Sequence, residues 1–113
     1  MQITGKVWGE TRCLFNKNNV EIHRIEATKK RYCSTHKHEH KSNAFFVENG
    51  MLKIEVWQED YDLVDVTYLI AGQMMTVPAG LYHRFTAEED TVAYEIYWVE
   101  LDQKDIVRKD HGG

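Results

Sequence analysis

Histidine is concentrated in one short stretch, His36-Lys-His38-Glu-His40, and a further histidine, His83, follows a turn-forming segment. In an extended strand, residues two apart point to the same face, so the imidazoles of residues 36, 38 and 40 are able to converge on one point. Neutral imidazole is the commonest side-chain ligand of Zn, Fe, Ni and Mn. A site of three or four such groups leaves a coordination position open for metal-assisted chemistry. The spacing therefore predicts one divalent transition metal per chain.

The segment that carries His83 begins at Gly72 and passes through Pro78 and Gly80. Proline and glycine shape a tight turn there, which delivers His83 onto the next strand. The histidines of residues 36–40 alone are also consistent with a solvated strand face, since charged residues alternate with them. A second, distant histidine after a shaped turn favours a metal site over that alternative.

Short segments of alternating or β-branched residues recur along the chain between turn residues, which is typical of a sandwich or barrel. These predicted strands are Val20–Ile25, Ala44–Val47, Met51–Trp57, Leu63–Ile70, Met74–Val77 and Thr91–Leu101. Asn49-Gly50 predicts a hairpin turn, because both residues tolerate positive φ. Only the tail from Asp102 onward suggests a helical period. The chain of 113 residues is thus predicted to be one all-β domain over residues 1–113.

Composition excludes several classes of function. The formal charge is −4, from 14 basic and 18 acidic residues, and no basic cluster is dense enough to bind nucleic acid. No apolar run approaches the roughly 20 residues that span a bilayer, and the polar amino terminus lacks the apolar core of a signal peptide. Cys13 and Cys33 match no zinc or redox motif. We expect free thiols, no membrane partner and a cytoplasmic protein.

The two histidine segments resemble the two sequence motifs of the cupins. Residues 72–83 are similar to the second cupin motif, G-x5-P-x-G-x2-H. The first motif has two histidines two apart, then a carboxylate, then a glycine; Gly50 takes the glycine position, which puts Asn43 where the family usually has its Glu ligand. The resemblance implies a cupin or jelly-roll barrel of the double-stranded β-helix type. It also implies a metal, a small-molecule ligand and a homodimer, for which the long apolar strand Thr91–Leu101 would suit a dimer face.

A closer resemblance is to the type II mannose-6-phosphate isomerase branch of the cupins. Its H-x-H-R-x-E motif matches residues 38–43, with Lys41 in place of Arg and Asn43 in place of Glu. His83-Arg84 and the ending Asp105-Ile-Val-Arg108 are also similar to that branch. General cupin spacing pairs His36 with His38, whereas the isomerase spacing pairs His38 with His40. His38 and His83 belong to both assignments, and the choice between His36 and His40 stays open.

The resemblance implies a metal-dependent isomerase of a sugar or sugar phosphate. Asn43 favours an alternative, a non-catalytic module that binds a metal or small ligand, because a neutral amide is a poor proton acceptor. A three-histidine site also suits a dioxygenase. Glu55, Gln73 and Glu95 are candidate pocket groups, but the sequence does not decide which strand face points inward.

Overall fold

The computed structural model describes residues 3–59, 63–99 and 107–109, and these residues form nine β-strands and no helix. The strands are β1 (Ile3–Lys6), β2 (Gly9–Lys17), β3 (Val20–Ala27), β4 (Ser42–Asn49), β5 (Met51–Trp57), β6 (Val64–Ile70), β7 (Met74–Val77), β8 (Tyr82–Ala87) and β9 (Thr91–Trp98). The all-β prediction is confirmed. The predicted helical tail from Asp102 lies outside the described residues, apart from residues 107–109. No helix that could cross a membrane occurs in the described ranges.

The strands form two antiparallel sheets that face each other. Sheet A has the order β1-β2-β3-β9-β4-β7, and sheet B has the order β6-β5-β8. Alternate residues of each strand point between the sheets, as in β5, where Leu52, Ile54 and Val56 are buried and their neighbours are partly exposed. Phe45 and Ile25 from sheet A meet Phe85 from sheet B in the same core. The buried interior is apolar except at one end, where Asn43 and His83 are buried.

The turn at Asn49-Gly50 does not form the predicted hairpin. β4 pairs with β7 and β9, and β5 pairs with β6 and β8, so the chain crosses from sheet A to sheet B at Gly50. Gly50 has φ of 100°, and a Cβ atom there would lie 2.5 Å from the Asp90 carbonyl oxygen. The glycine is therefore required by the corner between two sheets. The hairpin prediction was wrong because an Asn-Gly turn is compatible with a hairpin and with a corner between two sheets.

The last described strand also differs from its prediction. β9 ends at Trp98, and residues 100 and 101 lie outside the described residues. It pairs with β3 on one side and with β4 on the other, so both of its edges are hydrogen-bonded. β9 therefore offers no open edge to a second subunit; in the described part of the chain, open edges lie at β1 and β7 in sheet A and at β6 in sheet B.

Candidate metal centre

The segment that contains His36 and His38 lies along β8, although it is not a regular strand. Backbone hydrogen bonds join His36 N to His83 O at 3.1 Å and His83 N to His36 O at 2.8 Å. Further along the same edge, Cys33 N donates to Phe85 O at 3.2 Å. Gly80 N donates to His38 O at 2.7 Å, so the Pro78-Ala-Gly80 turn also holds this segment. Two parts of the chain distant in sequence are therefore joined where their histidines lie.

The three histidines of this junction form a compact cluster. One ring nitrogen from each of His36, His38 and His83 lies within 4.8 Å of the others. The ring centroids are 4.6 Å apart for His36 and His83, 5.1 Å for His36 and His38, and 5.5 Å for His38 and His83. Imidazole nitrogens bind zinc at about 2.0–2.1 Å, so nitrogens bound to one ion lie at most about 4 Å apart, slightly closer than the limit seen here. The described cluster has the composition of a metal site.

Backbone carbonyls orient two of the three rings. His83 Nδ1 donates to the Leu81 carbonyl at 3.0 Å, and His36 Nδ1 donates to the Ser34 carbonyl at 2.8 Å. With Nδ1 protonated in both rings, each Nε2 is an acceptor whose lone pair suits a metal ion. Metal-binding histidines almost always donate their other ring nitrogen in this way. The arrangement fixes both the tautomer and the direction in which the ligand atom points.

Two buried polar atoms at the cluster have no hydrogen-bond partner among the described residues, and both fit a metal ligand. They are His38 Nε2 and Asn43 Oδ1. Asn43 is 1% exposed, and its Nδ2 lies 3.4 Å from His83 Nε2. A half-turn of the amide would put the oxygen in that place. A buried polar atom without a partner is unfavourable by about 1–3 kcal/mol, and a bound ion would relieve this cost for both atoms.

The protonation of the cluster also suits metal binding. Burial, together with His36 and Lys41 nearby, lowers the pKa of His38 to about 4. Burial also lowers the pKa of His83. Both rings are therefore neutral near pH 7, and a metal ion need not displace a proton from them.

The structure places the five predicted ligands unequally. His36, His38 and His83 form the cluster, and Asn43 lies against His83. His40 is exposed and is not a member of the cluster. The general cupin motif pairs His36 with His38, and these two histidines lie together in the cluster.

A cavity of about 550 Å³ adjoins the cluster at His36. Its polar wall contains His23, Glu95 and Tyr97 from the inner face of sheet A, and Trp8 and Phe85 form an apolar wall with ring centroids 5.0 Å apart. The other lining residues are Gly5, Lys6, Val7, Thr11, Cys33 and Ser34.

Sequence reasoning missed the contribution of β1 and β2 to this cavity. No motif marks residues 3–11, and only the sheet order places them beside the cluster.

The pocket groups that the sequence left undecided are now distinguished. Glu95 lines the cavity, and Tyr97 donates its hydroxyl proton to the Glu95 carboxylate. Glu55 lies on the outer face of sheet B, where Arg84 donates to it at 2.9 Å. Gln73 accepts a hydrogen bond from Ile70 N in an exposed turn. Of these three, only Glu95 faces the cluster.

The backbone matches solved structures of cupin-fold proteins. It superimposes on KdgF from Halomonas sp. with a TM-score of 0.76 and 13% identity, covering 90% of this chain and 89% of KdgF. For the Cnp3 cupin domain of Schizosaccharomyces pombe the TM-score is 0.74 at 13% identity, covering 88% of this chain and 69% of that one. A variant of oxalate decarboxylase from Bacillus subtilis gives 0.78 at 14% identity, covering 87% of this chain and 27% of the enzyme.

No protein-family model and no curated protein matches the sequence. Identities this low establish the fold and leave the activity open, because one fold hosts many chemistries. The two facing antiparallel sheets have the same architecture as those structures. The chain is a cupin-fold domain.

Proposed function

We propose that the protein is a metal-dependent isomerase of a sugar or sugar phosphate. One divalent ion, Zn, Fe, Ni or Mn, is held by His36, His38 and His83, with Asn43 as a neutral oxygen ligand. The observation that carries the proposal is that the histidine cluster opens directly onto the cavity through His36. The His83-Arg84 pair, which resembles that of the type II mannose-6-phosphate isomerase branch, favours this substrate class.

The cavity has the properties that such a reaction needs. Its volume of about 550 Å³ is in the range of small-molecule sites. Trp8 and Phe85 keep water from one wall, and Lys6 supplies a positive charge for an anionic substrate group. A bound metal ion supplies polarisation of a substrate carbonyl. The protein residues hold the substrate so that its carbonyl end lies at the histidines.

Elemental analysis of the purified protein tests the metal site. We expect about one transition metal ion per chain, and its loss in the double variant His38→Ala/His83→Ala. The loaded protein is then incubated with mannose 6-phosphate, and fructose 6-phosphate is measured with and without a chelator. Product that disappears with the chelator supports the isomerase. A protein that stays empty after soaking with each of the four metals contradicts the proposal.

A second candidate function is a binding module without turnover. The specific observation that favours it is Asn43, which is buried at the cluster where a carboxylate would add charge and basicity. A metal-loaded protein that binds mannose 6-phosphate but forms no product would identify this function. Iron as the native metal would instead direct the search to dioxygen consumption, because a three-histidine site also suits a dioxygenase.

The partner proposals follow from the surface. We propose a homodimer, supported by β6, which in the described part of the chain pairs only with β5 and exposes Val66, Tyr68 and Ile70. Sedimentation equilibrium measures the oligomeric state directly, and a monomer at micromolar concentration contradicts the homodimer.

Cys13 and Cys33 are both free, which supports a cytoplasmic location.

A further inference from the structure

The carboxylate of Glu95 is placed differently from other half-buried carboxylates of the protein. Glu95 lies in the middle of β9, opposite His23 of β3 and Phe45 of β4. Phe45 is 1% exposed and points into the interior, so Glu95 points the same way. It shares the cavity wall with His36, which belongs to the metal cluster.

Tyr97 connects this carboxylate to the cluster. Its hydroxyl donates to Glu95 Oε2, and its ring packs edge-on against His38 with centroids 5.1 Å apart. The ring also contacts His23 at 5.9 Å and carries Lys41 Nζ 4.4 Å from its centroid. Tyr97 is therefore held by the site and fixes the orientation of Glu95.

Among the described residues, no lysine or arginine forms an ion pair with Glu95. The hydrogen-bond donor to its carboxylate is a neutral phenol, whereas Glu55 has Arg84 at 2.9 Å and Lys53 at 3.8 Å. Removal from water raises the pKa of Glu95 above the usual range for a glutamate. A carboxyl group with a raised pKa takes up a proton more readily than a solvated one.

We propose that Glu95 is the catalytic residue that carries the proton between adjacent carbons of the substrate. The role rests on the isomerase function proposed above, and it supplies the base that Asn43 does not provide. The reaction needs such a group within reach of both the substrate carbonyl and the neighbouring carbon, and Glu95 lines the same cavity as His36.

The proposed step conserves atoms and electrons. The Glu95 carboxylate takes the proton from the carbon next to the carbonyl, so that a C–H bond breaks and an O–H bond forms on Glu95. The electron pair moves onto the carbonyl oxygen and gives an enediolate. The hydroxyl proton of the neighbouring carbon moves to this oxygen, Glu95 returns its proton to the former carbonyl carbon, and the neighbouring C–O group becomes the new carbonyl. No oxidant or further reactant is consumed.

The test compares Glu95→Gln with Glu55→Gln, which changes a half-buried carboxylate on the outer face of the opposite sheet. Each metal-loaded variant is incubated with mannose 6-phosphate in D₂O, and both deuterium at C2 and the formation of fructose 6-phosphate are followed by NMR. Metal content and thermal unfolding are measured on the same samples. We expect Glu95→Gln to bind metal as the wild type does and to exchange the C2 proton about 10²- to 10⁴-fold more slowly. Glu55→Gln should exchange at the wild-type rate.

The outcomes separate the two proposals. Exchange by Glu95→Gln at the wild-type rate overturns the role of Glu95 and leaves the isomerase intact. Equal losses in Glu95→Gln and Glu55→Gln also overturn it, because the effect would then not be specific to the cavity. Wild-type protein that binds metal but neither exchanges the C2 proton nor forms fructose 6-phosphate overturns the isomerase and the role of Glu95 together.

Discussion

The two ends of the barrel interior follow opposite rules. At one end the buried side chains are apolar and almost completely removed from water, as in Val47, Leu52 and Ile54, each 0% exposed. At the other end Asn43 and His83 are as deeply buried, at 1% and 2%, yet they are polar. Burial of apolar side chains at the first end stabilises the fold. The second end carries buried polar atoms that have no partner among the described residues, which is unfavourable. The comparison indicates that one end stabilises the fold and the other is kept for a ligand.

The largest effect is expected from Phe85→Ala, which removes a 2% exposed ring that packs against Trp8 and Phe45. Loss of a buried phenylalanine lowers the free energy of unfolding by about 3–5 kcal/mol, a large part of the roughly 5–15 kcal/mol of a small domain. Urea unfolding of the metal-free protein measures it. A loss below about 1 kcal/mol would show that the apolar core around Phe85, which borders the cavity, does not stabilise the fold.

The next effect concerns metal binding, for which His83→Ala removes a ligand. Changes in residues that only support a ligand lower metal affinity about 10- to 100-fold, so we expect at least a hundredfold loss here. Zinc titration by calorimetry provides the measurement. His40→Ala is the matched control, because this exposed histidine lies outside the cluster. A loss in His40→Ala with no loss in His36→Ala would support the isomerase spacing instead.

Asn43→Leu should move stability and metal binding in opposite directions. Leucine has a similar size and removes the buried oxygen without a partner, so the metal-free protein should gain about 1–2 kcal/mol in unfolding free energy. Metal affinity should fall, because an oxygen ligand is lost. Parallel urea unfolding and zinc titration test both effects. A less stable metal-free variant would show that the polar end is satisfied without a ligand.

The smallest effect is a difference in thiol reactivity. Burial raises the pKa of Cys33 to about 11, so at pH 8 only about one thiol in a thousand is ionised. Cys13 is only partly buried. Iodoacetamide should therefore modify Cys13 well before Cys33 in the native protein, and both at similar rates in urea, as mass spectrometry can show. Equal native rates would mean that the cavity wall opens to solvent.

Much of the fold could be predicted because strand residues alternate in polarity. Met51–Trp57 and Met74–Val77 were predicted with the bounds that the structure gives. Turn chemistry was less informative, since Asn49-Gly50 suits a hairpin and a corner between sheets equally well. β1 and β2 were missed because their partly polar sequences carry no clear period, and β2 is interrupted by a bulge between Cys13 and Phe15.

The candidate site could be predicted by residue type but only partly by geometry. The sequence identified His38 and His83 because turn residues and spacing marked them. It could not choose between His36 and His40, since that choice depends on which residue pairs with His83 along β8. It could not separate Glu95 from Glu55 either, because strand alternation defines two faces without saying which one is inward.

The position of β9 also determines when the barrel can be completed during synthesis. β9 is the only link between β3 and β4 in sheet A, as far as the chain is described. A ribosome adds about 5–20 residues per second and releases the amino-terminal part first. The ribbon of β1, β2 and β3 therefore waits, unjoined to β4 and β7, until Trp98 has left the ribosome. A chain stalled before Thr91 carries all three clustered histidines but lacks the strand that closes the sheet and brings Glu95 and Tyr97 to them.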